Sequence, residues 1–369
     1  MRLRFLDTAR ALAVLYVLIF HVAGIWWLPY PKQMTQFIQS GGSGVVLFFV
    51  ISGFSLCLTM QRHMESQSPR LSYATARIFR IAPLYYLLLI ITIWRDAEFR
   101  DMLHEPAKVL ASALLVFNLY PEYAKGIVWA SWTIGVEIIF YAIFPVLYRI
   151  LNNSQKRIAA LIGASWATYA LATFFTPHLS DEVQRSFSYM NFPRNLAIFL
   201  SGMVAFDTYV LLHRKIAANQ VSWGLMITAI GASLVTSFVI LARLTWGKIL
   251  FVDLGLIQAF SYSVLILGLS FLPNILAGNC ITDFYSRVCY SAYLWHPLVI
   301  WALKDVYDFF YALEVAIWEK FGLSVLTTLV VLSAVSWTSY HLIERPGQKM
   351  GKLLLKRWNA RKSAQQAGY

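Results

Sequence analysis

Apolar residues run in long blocks along this chain, separated by short polar stretches. The blocks fall at about 5–28, 41–60, 73–94, 107–119, 129–150, 158–175, 194–212, 221–241, 249–272, 287–303 and 321–343. A helix rises ~1.5 Å per residue, so roughly 20 apolar residues cross ~30 Å of hydrocarbon. Ten blocks are near or above the roughly 17 residues that a crossing needs. The block at 107–119 is too short and suits a half-helix or a re-entrant segment. Lipid offers no partner to backbone polar groups, so spans of this kind must be helical. The pattern predicts an all-α integral membrane protein with about ten transmembrane helices plus one short re-entrant or half helix. No separate soluble domain, low-complexity segment or internal repeat interrupts it. The expected division is a transmembrane unit at 1–345 and a basic tail at 346–369.

Composition agrees with the pattern. Of 369 residues, 59% are hydrophobic and only 13% charged, against the ~25% usual for a soluble domain. The net charge of +13 would suggest nucleic acid in a soluble protein. Here it sorts by side. With a cytoplasmic N-terminus, ten crossings and no crossing at 107–119, twenty of the 31 Lys and Arg residues fall in cytoplasmic segments. They include Arg2, Arg4, Arg10, Arg77, Arg80 and Arg287, and seven in the tail from Arg345 onward. That distribution obeys the positive-inside rule, puts both termini in the cytoplasm and needs no nucleic-acid partner. Cys57, Cys280 and Cys289 have neither disulfide-framework nor metal-site spacing.

The informative residues are those that break the apolar blocks. Arg10 and His21 lie in the first, with Asp7 one turn before the arginine. Eleven residues make three turns plus ~20°, so Arg10 and His21 share a face, about 16 Å apart along the axis. Ionisable residues at this depth normally face protein or a water-filled cavity. A snorkelling anchor at Arg10 and a packing histidine at His21 are the plain alternatives. A cleaved leader is disfavoured, because these residues interrupt the apolar run and no A-x-A site follows.

Gly41-Gly42-Ser43-Gly44 lacks the Lys-Ser/Thr of a phosphate loop and reads as a helix start capped by Ser43. Ser52-Gly53 in mid-span permits close backbone approach or a kink. Arg77 and Arg80, three apart on one face, suit either lipid headgroups or a phosphorylated ligand. Glu137 follows Trp132 and Thr133 into an apolar helix and needs a partner there. A structural ion pair is the alternative role. His296, beside Pro297, could line the same cavity or simply pack. Glu344-Arg345-Pro346 reads as a helix exit with an interfacial salt bridge.

Taken together, these motifs resemble the acyltransferase 3 family of integral membrane acyltransferases. Arg10 and His21 match its Arg-x10-His signature. LFFVISGF at 47–54 and ARIFRIAPLYY at 76–86 resemble its second- and third-helix motifs. SWTIGVEIIFYAIFP at 131–145 is similar to its Trp-Ser-Leu-x-x-Glu-type motif, with Thr133 at the Ser position. YSAYLWHP and YHLIERP at 290–297 and 340–346 resemble the closing motifs. The resemblance implies transfer of an acyl group, often acetyl, from cytoplasmic acyl-CoA to a hydroxyl. The acceptor is usually on a cell-surface or exported glycan, and the setting is the bacterial inner membrane. Some relatives carry a second, SGNH hydrolase domain, for which this chain has no room.

On that basis His21 is expected to act as base or acyl relay, with Arg10 orienting the donor and Glu137 orienting His21 or balancing its charge. Arg77, Arg80 and Arg10 would bind the acyl-CoA. Asp7, Ser52, Trp132, Thr133 and His296 are further cavity candidates, and no metal is expected. A homo-oligomer is compatible with the sequence. The rival class is a transporter or proton-coupled channel, since intramembrane Arg, His and Glu residues also serve as relays.

Overall fold

The computed structural model describes residues 3–216, 219–241, 254–274 and 278–367. Arg2 and the start of the expected span at 249–272 lie outside them. Among the described residues the chain is helical, without strands. The helices that matter for the site are α1 (Arg4–Gly24), α2 (Gly44–Met64), α3 (Pro69–Arg100), α4 (Pro106–Ala113) and α5 (Trp132–Ile150). Then come α6 (Ser154–Ala170), α7 (Asp181–Met190), α8 (Phe192–Lys215), α9 (Gln220–Leu241) and α10 (Leu254–Ser270). The last are α11 (Cys280–Arg287), α12 (Cys289–Ala302), α13 (Lys304–Ala312), α14 (Ile317–Ser339) and α15 (Arg345–Ala367).

Among the described residues, eight helical stretches are long and apolar enough to cross a membrane. Of the ten expected spans, the other two correspond to shorter helices. These are α10, with 17 described residues, and α12, with 14. Val288 and Leu303 bound α12 with non-helical backbone, so it fills the 287–303 block to within two residues at its start and one at its end. The 107–119 block forms only the eight-residue α4, about 12 Å long at ~1.5 Å per residue. A left-handed Leu115 and a 3-10 turn at Phe117–Leu119 follow it.

Contacts at both ends fix the helix directions. α1 and α12 run parallel: the Cys289 thiol faces the Arg10 carbonyl, and the Trp26 indole donates to the Ile300 carbonyl at 3.2 Å. α3 runs the same way, since Tyr290 donates to Ile81 and Arg95 lies over Trp301. α2 is opposed: Gly44 lies against the Ala13 carbonyl while Ser55 meets Arg10. α5 runs with α2, pairing Trp132 with Phe49 and Glu137 with Ser52.

Gly53 is where two backbones meet. A Cβ there would lie 2.1 Å from the Phe199 carbonyl oxygen, and one on Gly202 would lie 2.1 Å from that of Val50. Small residues let α2 and α8 approach at van der Waals distance, the usual packing device between helices in lipid. Ser43 does not cap α2. The 3-10 turn at Ser40–Ser43 leads straight into the helix, leaving the Ser43 hydroxyl to pair with that of Tyr262 at 2.6 Å.

Candidate active site

Five helices line a cavity of about 80 Å³. α1 contributes Arg10, α2 Ser52 and Ser55, and α3 Arg77 and Arg80. α5 contributes Thr133, Glu137 and Tyr141, and α12 Cys289, Tyr290 and Tyr293. The cavity therefore joins six of the residues singled out in the sequence: Arg10, Ser52, Arg77, Arg80, Thr133 and Glu137. Each arginine sits differently. Arg10 donates to Asp7 at 3.1 Å and to Ser55 at 2.9 Å. Arg77 donates to Thr59 at 3.3 Å and lies over the Tyr73 and Tyr141 rings. Arg80 lines the cavity and is exposed, as expected of a guanidinium facing a wet space.

The carboxylates supply the balancing charge. Ser52 donates to Glu137 at 2.6 Å. Arg80 is within electrostatic reach of Glu137 and of Glu344. Glu344 is not a surface salt bridge at a helix exit. It is 3% exposed, sits in a π-helical turn at Tyr340–Glu344 and accepts a short hydrogen bond from Ser291. Single π turns often mark functional positions. Arg10 thus faces Asp7, and Arg80 faces Glu137 and Glu344, while Arg77 rests on a hydroxyl and two rings.

His21 and His296 lie outside the cavity lining and pair with each other, ring centroids 4.8 Å apart. Tyr293 connects the two regions: it lines the cavity, and its ring is 5.6 Å from that of His296. Each imidazole has Nδ1 at a backbone carbonyl, Val17 for His21 at 2.9 Å and Tyr293 for His296 at 2.5 Å. A carbonyl only accepts, so Nδ1 carries the proton and the neutral ring keeps its lone pair on Nε2. The Nε2 of His296 is buried without a hydrogen-bond partner. Glu137 makes no hydrogen bond to His21; the group beside His21 is His296. Asp7 pairs with Arg10 from a neighbouring cleft. Trp132 packs between Phe49 and Tyr189, away from the lining.

Sequence reading missed Ser55, Tyr141, Tyr290, Tyr293 and Glu344. Helical spacing could have found four of them. Ser55 follows Ser52 by three and Tyr141 follows Glu137 by four, while Tyr293 precedes His296 by three and Tyr290 precedes Tyr293 by three.

A helical bundle of membrane-crossing length, with a charged internal cavity and an adjoining pair of imidazoles, is an integral membrane protein equipped for polar chemistry within the bilayer. A family model described as "Acyltransferase domain" matches residues 3–338. The chain belongs to this family, the one its motifs resemble, and is a membrane acyltransferase. No curated protein and no solved structure matches it.

Proposed function

We propose that the protein moves an acyl group, acetyl in the simplest case, from cytoplasmic acyl-CoA to a hydroxyl of a cell-surface or exported glycan. It does so in the bacterial cytoplasmic membrane, with both termini on the cytoplasmic side. The carrying observation is convergence: Arg10, Arg80 and Glu137, from three helices, share one cavity, and a single tyrosine separates it from the His21–His296 pair. The ~16 Å of α1 between Arg10 and His21 suits an extended pantetheine arm.

In this reading the acceptor oxygen attacks the thioester carbonyl carbon. His21 Nε2 takes the hydroxyl proton. A new C–O bond forms, the C–S bond breaks, and the CoA thiolate leaves and recovers the proton. His296 lies against His21 and shares the positive charge while it lasts. Arg10 and Arg80, nearer the cytoplasm by the ~16 Å of α1, orient the donor on its way to the imidazoles. Glu137, held by Ser52, keeps Arg80 in place. The test is transfer of label from acetyl-CoA in membranes carrying wild type, His21→Ala or Arg10→Ala. Full transfer by a folded His21→Ala protein would remove the base assignment, and label carried by no acceptor would sink the activity.

A further inference from the structure

Next to the cavity lies a polar cleft of about 480 Å³, walled by Asp7, Arg287, Trp337, Tyr340, His341 and Arg345. Two links join cleft and cavity. Asp7 lines the cleft and pairs at 3.1 Å with Arg10, which lines the cavity. Arg345 follows directly on Glu344, the buried carboxylate near Arg80.

We propose that this cleft binds the phosphorylated adenosine end of the acyl-CoA donor; the assignment rests on the donor proposed above. Arg10 and Arg80 face three carboxylates and have little charge left for a polyphosphate, and Arg77 is taken up by Thr59 and the Tyr73 and Tyr141 rings. Arg287 and Arg345 are exposed, and neither pairs with an acid among the described residues. Guanidinium forks match phosphate oxygens in charge and geometry. Between them stand three rings. Trp337 stacks on Phe284 at 5.8 Å, and the His341 ring lies 4.0 Å from Trp337. Rings beside guanidinium groups are what a purine base and its phosphates need together. A lipid headgroup offers the same phosphate without the base. With the nucleotide in the cleft, the pantetheine arm passes Arg10 into the cavity and carries the thioester toward the imidazoles.

The experiment uses full-length protein in nanodiscs and compares acetyl-CoA with acetyl-pantetheine, which lacks the nucleotide. Arg287→Gln and Arg345→Gln, singly and together, should shrink the wild-type preference for acetyl-CoA, measured as a ratio of kcat/KM values, by about tenfold. Adenosine 3′,5′-bisphosphate should inhibit wild type competitively against acetyl-CoA and lose potency in parallel. Lys356→Gln, remote on α15, is the control. An unchanged preference in the folded double variant overturns the cleft assignment while leaving the acyl-CoA reading intact. So does a loss seen only in anionic nanodiscs, which would assign both arginines to lipid headgroups. If wild type transfers from neither thioester, the donor reading itself fails and the cleft assignment with it.

Discussion

His21 and His296 face each other at 4.8 Å between ring centroids, and each has Nδ1 at a carbonyl on its own helix, four and three residues back respectively. Both rings are thereby fixed in the tautomer that leaves Nε2 as the acceptor. If His21 is the base, His21→Ala should lower kcat by roughly 10²–10⁴-fold. His296→Ala should lower it less, about tenfold, because it removes the neighbour and not the acceptor. Only the neutral ring accepts a proton, so wild-type activity should be present at high pH and fall as pH drops through the titration of the pair. The residual activity of His21→Ala should lack that acid limb. Equal pH profiles in wild type and His21→Ala would exclude the assignment.

The Ser52–Glu137 hydrogen bond and the nearby Arg80 form a second testable unit. Glu137→Gln keeps an acceptor for Ser52 but removes the charge opposite Arg80. A fully buried orphaned charge costs about 3–5 kcal/mol. Arg80 is exposed to the cavity, so screening reduces the loss to about 1–2 kcal/mol. Thermal unfolding in detergent should show that loss in Glu137→Gln and its partial recovery in Arg80→Gln/Glu137→Gln. Transfer activity should recover in neither. Restored activity in the double variant would make the pair structural only.

Much of this arrangement was legible in the chain because helices are periodic. The length of the apolar blocks gave the helices, and Arg10, Arg77, Arg80 and Glu137 stood out as charges that lipid does not tolerate alone. What periodicity could not convey was which helix each charge would meet. Glu137 reads as a partner for any of several cations, and only the packing of α5 against α2 and α3 sets it beside Ser52 and Arg80. Glu344 was hidden for a different reason. The π turn at Tyr340–Glu344 shifts the helical register, so a residue that reads as interfacial by counting turns is carried inward to Ser291.

The contact between α2 and α8 predicts a sharp steric response. Gly53→Ala would place a methyl group 2.1 Å from a carbonyl oxygen of α8, and Gly202→Ala does the same against α2. Those atoms are backbone and cannot rotate away, so the helices must separate. Each substitution should cost about 1–3 kcal/mol, as for overpacking generally, and lower the unfolding temperature in detergent. Ser52, next to Gly53, would move with α2, so activity should fall even where the protein still folds. A Cβ at Gly163, inside α6, would meet nothing within 4 Å, so Gly163→Ala should leave activity unchanged and raise stability slightly, by about 0.5–1 kcal/mol.

The far end of α3 carries a charge cluster that should govern stability without governing transfer. Asp96, 2% exposed, accepts from Arg95 at 2.5 Å, from Arg100 at 3.4 Å and from His104 at 2.9 Å. Arg95, 3% exposed, lies over both Trp129 and Trp301. The cluster thus ties the end of α3 to the segment before α5 and to the end of α12. Asp96→Asn leaves the buried guanidinium without its counter-charge and should destabilise the protein by about 3 kcal/mol. Arg95→Met with Asp96→Asn removes both charges and keeps much of the apolar contact with the two indoles, so it should regain most of that loss. Arg95 is fifteen residues from Arg80, about 22 Å along the axis, and its contact Trp301 lies about 8 Å along α12 beyond His296. At a temperature where Asp96→Asn is folded, transfer from acetyl-CoA should therefore stay within about twofold of wild type, since distant sites act nearly independently. A tenfold loss in the folded protein would mean that the reaction reaches this end of the bundle, and the site drawn around Arg10, Arg80 and His21 would have to be enlarged to include it.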